Sequence, residues 1–581
     1  MQFPTMQYSL IGFWLITALV TLGLMTFVGL VAFKILYQHK KINLLILLGG
    51  GMIAGPLVFL FSLNFLSYIF KGPVFLIIFF VLFVILSLYL LNKMKINLFS
   101  GLLSSRNKDK KKLTLIYVFL ALNILLLYIF VGKANVGGDV LQYWAIATSF
   151  ARGNYPTVMP YQPDFLTVYH TGTYMVLGLL HVLTKFDIDR VHFFFAFYLL
   201  ASMFIFTAGM ALKEKKSLFC LVPPIFGLIL FGAPVILTSS NYQLIGTDSL
   251  GQLIHNIFNI ITQYPTFDIN IGSIGGGAIS TESLVYIIHI AFGLAVFLLF
   301  VYTLIERDKS NPFKDFMLLT VLTNLNLSIN EVFLPIQLFL IGAFFIYDYR
   351  KKSLEKFLIS GAVLFLVFLS LFFIVQNSIR DALFTPSTEA PRIQIIIPPF
   401  DNLEQLTSPF HRIAPYQDIT ISSDERGTWY LMDIRLLILV GLILSLITRK
   451  LAPLIFSLAA LISLLCKIFI WYTFSPWSGF RFFSQSHQLM AFAFGFLIIS
   501  MFKRKMLRII ALLVLLLALP QTISSYTKIL NISLKKNNQN YTAHNPENQN
   551  LKMLSRTLSA NSRVLIISFL SDGSINHYLS S

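Results

Sequence analysis

Long polar stretches are missing from this sequence, and charge is scarce: Asp, Glu, Lys and Arg make up 12% of 581 residues, against 56% hydrophobic ones. That balance excludes a string of soluble domains and points to one large membrane body. Only two cysteines occur, Cys220 and Cys466, both in apolar segments expected at different depths, so a disulfide framework is excluded. No internal repeat is visible, which argues against an inverted-repeat transporter. No pair of His and Cys has zinc-ligand spacing between residues 239 and 282. Any divalent metal would have to be assembled from Asp and Glu of different loops.

What is present is a succession of apolar runs of about 18 residues or more, each able to cross roughly 30 Å of hydrocarbon as a helix with its backbone bonds satisfied internally. The net charge of +19 comes in short clusters between those runs, as at Lys108 to Lys112, Lys213 to Lys216, Arg350 to Lys352 and Lys503 to Arg508. This is the pattern of cytoplasmic loops rather than of a nucleic-acid surface. The first apolar run, from about Ser9 to Leu36, is too long for a secretory signal and has no basic residues ahead of it, so a retained helix is expected.

With every basic cluster on the cytoplasmic side, the spans fall near 9–37, 43–70, 74–92, 114–132, 191–212, 218–238, 283–304, 316–329, 333–348, 357–376, 434–448, 452–473, 489–502 and 509–525. The expected fold is an all-α polytopic membrane protein of about fourteen spans, integral to the cytoplasmic membrane, with both termini outside. Charge placement decides two ambiguous stretches. Residues 170–184 are laid along the outer interface as an amphipathic helix, because counting them as a span would put Lys213, Lys215 and Lys216 outside. Residues 316–348 become a hairpin of short helices turning outside at Ser328 to Glu331, since Lys314 and Arg350 both belong with the cytoplasmic clusters.

The chain thus divides into a three-helix extension with a basic loop at 1–113, a transmembrane core at 114–525 and an outer tail at 526–581. The core carries outer segments at 133–190, 239–282, 377–433 and 474–488. In the tail, Asn537 to Asn550 reads as a linker, and the apolar run Val564 to Phe569 leaves room for a small folded appendage.

The first large outer segment carries the chemical signal. After Gly137-Gly138-Asp139, the residues Val140, Tyr143, Ala147 and Phe150 recur at helical spacing, so Asp139 begins an amphipathic helix on the membrane surface. An Asp there serves as an N-cap, contributing about 1 kcal/mol. It also suits a general base, because a carboxylate fixed at a rigid helix start can take a proton from an attacking hydroxyl. The two roles coexist.

The run from Gly138 and Asp139 through Tyr143 to Gly153, Tyr155 and Pro156, then Tyr169-His170-Thr171-Gly172, then Asp189-Arg190, resembles the entrance region of the GT-C membrane glycosyltransferases. Lipid A aminoarabinose transferases and protein O-mannosyltransferases are of this type. The resemblance is clearest over 114–212 and extends in hydrophobic layout to about 525. It implies transfer of a sugar from a polyprenyl-phosphate-linked donor to a glycan, lipid or protein acceptor outside the cytoplasm. It further implies that Asp139 is the catalytic base and that Lys185 or Arg190 lies near the donor phosphate; Tyr143, Tyr169 and His170 are candidate substrate contacts, with a structural hydrogen bond as the equal alternative for His170. A cationic group at that phosphate stabilises charge that develops as the glycosidic bond breaks. Headgroup anchoring is the alternative for Arg190.

The sequence departs from that pattern in three places. Three extra spans precede the one leading to Asp139. The hairpin tip reads Ser328-Ile329-Asn330-Glu331, where the aminoarabinose-type enzymes carry Thr-Lys-Gly, and Tyr169-His170 stands where a Pro-Pro pair is common. Glu331 reads first as a solvated turn residue, with binding of a sugar hydroxyl or a metal as the alternative. The Gly-rich patch Gly272 to Gly277 lacks a P-loop Lys and reads as a turn or lid. Arg481, set among aromatics in Trp477 to Phe483, suits a lipid phosphate or a sugar face, with headgroup anchoring as the equal alternative.

Two other classes compete. A lipid-linked glycan polymerase or ligase would use His411 and Arg412 of the long loop 377–433. A transporter or flippase would need many intramembrane charges, whereas Lys467 is nearly alone.

Overall fold

The computed structural model describes residues 5–38, 40, 42–95, 110–131, 139–159, 162–166, 170–214, 217–229, 284–285, 287–384, 393–395, 434–472, 478–505 and 507–515. The described residues are almost wholly helical. Four helices come first, α1 (Thr5–Leu36), α2 (Leu44–Leu66), α3 (Pro73–Lys93) and α4 (Lys110–Val131), followed by α5 (Asp139–Ala151) and the short antiparallel pair β1 (Val158–Met159) and β2 (Gln162–Leu166). Next come α6 (Thr171–Thr184), α7 (Ile188–Glu214) and, after a single 3-10 turn, α8 (Val222–Leu228). The second half holds α9 (Ile288–Glu306), α10 (Phe313–Ile329), α11 (Phe333–Tyr349), α12 (Leu354–Ile374), α13 (Ser378–Phe384) and β3 (Ile393–Ile395). It ends with α14 (Ile434–Thr448), α15 (Leu451–Phe469), β4 (Ile470–Tyr472) and α16 (Ser478–Met501).

Seven of the described helices, the four at the start together with α7, α9 and α12, are long and apolar enough to cross a membrane, and five shorter apolar helices accompany them. This fits a multi-pass membrane protein. The expected hairpin is present as α10 and α11, joined at Asn330 to Val332. Two expectations change. The helix that includes the expected span 489–502 begins at Ser478, so Arg481 stands on its first turn rather than in a loop. The segment expected along the outer interface is α6, yet 12 of its 14 residues are buried. It packs against α5, α7, α10 and the first three helices.

Burial sorts the helices into centre and rim. The most apolar 18-residue window of α9 is 94% buried, whereas that of α12 is 11% buried. Exposed Leu82, Ile85, Leu122, Leu125, Phe365 and Leu366 show that α3, α4 and α12 present apolar side chains outward, as a hydrocarbon-facing rim requires.

Inside, α1 and α2 are in backbone contact. A Cβ on Gly29 would stand 1.9 Å from the Gly51 carbonyl oxygen, and one on Gly55 would stand 2.3 Å from the Met25 carbonyl oxygen. Helices without an aqueous hydrophobic driving force between them associate through such small-residue seams. Asn43 caps α2 by accepting the Ile46 N–H at 2.9 Å, and its amide donates to the Gly209 carbonyl of α7 at 2.7 Å. Cys220 and Cys466 are both free and buried.

The two ends of the bundle differ in chemistry. At one, ion pairs tie helix termini together: Lys213 to Glu306 at 2.6 Å, Arg307 to Asp348 at 2.5 Å, and Glu214 to both Lys450 at 2.6 Å and Lys503 at 3.4 Å. This is the end that carries the basic loops. At the other end, the C-terminal ends of α2, α10 and α12 meet the N-terminal ends of α6, α9, α11 and α16.

Candidate functional site

Three segments far apart in sequence meet at the end opposite the basic loops. His170 is the residue before α6 and is 2% exposed. Its position follows from Gly172, where a Cβ would lie 2.5 Å from Ser328 Oγ; only a residue without a side chain lets the first turn of α6 approach the end of α10 so closely. Glu331 sits in the tight α10–α11 turn, where Asn330 Oδ1 accepts the Val332 N–H at 3.3 Å and the Glu331 carbonyl accepts the Leu334 N–H at 3.0 Å. That turn directs the carboxylate inward, to 0% exposure. Arg481 reaches the same place from α16, with 14% of its side chain exposed.

Their polar atoms converge. His170 Nδ1 lies 2.8 Å from Glu331 Oε2, while Arg481 Nη1 lies 3.1 Å from His170 Nε2 and 3.4 Å from Glu331 Oε1. Ser378 Oγ, on α13, reaches Glu331 Oε2 at 3.5 Å. The ring of His289, from the first turn of α9, stacks on His170 at 3.8 Å between centroids.

The electrostatics are internally consistent. An arginine only donates, so Nε2 of His170 accepts from Arg481, and the ring proton belongs on Nδ1, facing Glu331. Burial pushes the His170 imidazole below its ordinary value, and the Glu331 charge only partly restores it. Burial pulls the Glu331 carboxyl upward, but the charges and hydrogen bonds of His170 and Arg481 prevail and hold it down to about 2. Near neutral pH the cluster is therefore a guanidinium, a neutral imidazole and a carboxylate. The solvated-turn reading of Glu331 is overturned: its backbone geometry aims it into the protein, where two partners replace water.

Beside this cluster lies a second buried network. The Gln376 side chain accepts the Thr157 N–H at 3.1 Å and donates to the Thr157 carbonyl at 3.3 Å and to Asp381 Oδ2 at 3.0 Å. Asn64 Oδ1 accepts the Gln376 N–H at 3.0 Å and the Tyr155 hydroxyl at 3.2 Å, and Thr171 donates to the Gln376 carbonyl at 3.2 Å. Arg380 grips Asp381 Oδ1 through Nε at 2.8 Å and Nη2 at 2.6 Å. These bonds fasten α2, the segment between α5 and α6, and the α12–α13 turn around the start of α6.

Of the residues singled out from the sequence, the structure gathers His170, Glu331 and Arg481. Lys185 and Arg190 are not with them. Lys185 ends α6 in a left-handed conformation, about 20 Å along that helix from its start, and both side chains are exposed. Asp139 is the first residue of α5, as its spacing predicts, and Tyr143 lies on the same helix. The side chains of Asp139 and Tyr143, and the whole of Tyr169, His411 and Arg412, lie outside the described residues. Nearby, Trp144 of α5 meets the His192 ring of α7 at 6.1 Å, and His192 Nε2 contacts the Val285 carbonyl at 2.8 Å, four residues before His289.

Sequence reasoning missed His289, a single polar residue in an apolar run with no neighbour to mark it. It also missed Gln376, Ser378 and Asp381, which straddle the border between a span and a loop. Among the described residues, no three His, Cys, Asp or Glu side chains gather as metal ligands. No protein-family model matches the chain, and neither does any curated protein or solved structure.

Proposed function

We propose that this chain is a GT-C-type membrane glycosyltransferase, spanning the cytoplasmic membrane about fourteen times. It moves a sugar, with inversion, from a polyprenyl-phosphate-linked donor to a glycan, lipid or protein acceptor on the extracytoplasmic side. The reading is supported above all by one observation: Arg481 stands partly exposed at the end opposite the basic loops, held by the fully buried Glu331 and by His170. A guanidinium whose carboxylate partner is anchored beneath it is held in one place, and its planar, permanently charged head suits a phosphate. Asp139, at the head of α5, accepts the proton of the acceptor hydroxyl as that oxygen attacks the sugar. Lys185 and Arg190, exposed, draw anionic headgroups toward the region.

Membranes carrying Asp139→Asn are expected to lose transfer of labelled sugar from a polyprenyl-phosphate donor by roughly two orders of magnitude or more, at unchanged protein level. Arg481→Gln is expected to show a comparable loss, through the leaving phosphate. Full activity in both variants would refute the assignment.

A further inference from the structure

The end of the bundle that carries the basic loops holds a group of cations that the surrounding chain leaves largely uncompensated. Residues 434–546 contain no Asp or Glu. Within them α14 and α16 pack on each other, and both run out into basic residues: Arg449 and Lys450 after α14, then Lys503, Arg504 and Lys505 after α16. Hydrogen bonds draw the two ends together. Arg504 Nη1 donates to the Ile447 carbonyl at 2.8 Å, and Arg508 Nη2 donates to the Phe502 carbonyl at 3.4 Å. Lys450 and Lys503 share one oxygen of Glu214, at 2.6 Å and 3.4 Å. Arg449, Arg504, Lys505 and Arg508 are exposed, and among the described residues no carboxylate pairs with any of them. The Arg508 N–H bonds the Arg504 carbonyl at 3.0 Å, so these two cations stand one helical turn apart, a spacing at which like charges repel. An anion set among them relieves that repulsion.

The surfaces leading away from the cations are apolar. Ile443, Leu446 and Ile447 on α14 are exposed, as are Ile509, Leu512 and Leu513 in the helical segment 507–515. Dissolved phosphate would engage the cations and leave these faces bare, whereas a phospholipid engages both. We propose that this place is a binding site for an anionic phospholipid of the cytoplasmic leaflet. Its phosphate lies among Arg449, Arg504 and Arg508, and its acyl chains run along the exposed faces of α14 and of 507–515. Basic residues gathered where membrane helices end attract anionic lipid, and guanidinium groups match phosphate oxygens. The site is independent of the transferase reading, and the lipid it holds braces the end of α16 opposite Arg481.

The test is native mass spectrometry of the full-length, detergent-solubilised protein after exposure to equal amounts of phosphatidylglycerol and phosphatidylcholine with matched chains. The wild type is expected to retain phosphatidylglycerol preferentially, and raising the ionic strength during exposure is expected to weaken that preference. The triple variant Arg449→Gln, Arg504→Gln, Arg508→Gln is expected to lose it by roughly tenfold or more. The control Lys351→Gln, Lys352→Gln, Lys356→Gln removes as many charges from exposed residues of another basic loop and is expected to keep it. No preference in the wild type, a preference indifferent to salt, or one retained in the arginine variant overturns the inference. An equal loss in the control also overturns it, by making the attraction a diffuse one. Displacement of the lipid by inorganic phosphate at constant ionic strength overturns it in favour of a dissolved anion.

Discussion

At the residue scale, Glu331 shows how a carboxylate with 0% exposure is tolerated: it has a guanidinium on one oxygen and an imidazole on the other. Removing one member of such a pair strands the rest, so Glu331→Ala is expected to destabilise the protein by about 3 to 5 kcal/mol. Thermal unfolding in detergent measures this, and a change within about 0.5 kcal/mol, the range of an ordinary surface substitution, would contradict the burial argument. The sign of the pH dependence follows from the same groups. Folding lowers Glu331 from 4.5 to about 2, so its contribution is complete above 4.5 and disappears as pH falls toward 2. Folding also lowers His170 from its ordinary 6.5, so the unfolded chain binds that proton more readily and stability begins to fall below 6.5. Both effects act in one direction, and Glu331→Gln is expected to flatten the acid limb between 4.5 and 2.

At the element scale, the α1–α2 seam is the most demanding contact. Ala at Gly29 would place its Cβ 1.9 Å from a backbone oxygen, which no side-chain rotation relieves. Gly29→Ala is expected to lower stability by about 1 to 3 kcal/mol or more, read as a fall in midpoint temperature and a loss of monodisperse protein. Gly23→Ala, with open space around it, is the matched control. Which elements form was largely legible in the sequence, since apolar length and the Lys314 and Arg350 constraint predict the α10–α11 hairpin. The burial of α6 was not, because its composition describes one helix, whereas its surroundings depend on Gly172 and Gly178 admitting α10 and α5. The meeting of His170, Glu331 and Arg481 was legible as three separate suspicions; that they share one place depends on tertiary contacts between segments hundreds of residues apart.

At the scale of the whole molecule, the charge pattern predicts a direction for the bundle. In a variant retaining only the buried Cys220 and Cys466, a cysteine at exposed Lys71, between α2 and α3, is expected to react with an impermeant maleimide in intact cells. One at exposed Lys351 is expected to react only after permeabilisation, and the reverse pattern would invert the orientation. The two ends also differ in how they are fastened. Glu214, Lys450 and Lys503 remain roughly one-third exposed, within reach of dissolved ions, whereas Glu331 and Asp381 are closed off from them. Changes in ionic strength therefore act on this protein unevenly, slackening the ties among α7, α15 and α16 while the opposite end keeps its shape, so that salt works on it as a one-ended lever.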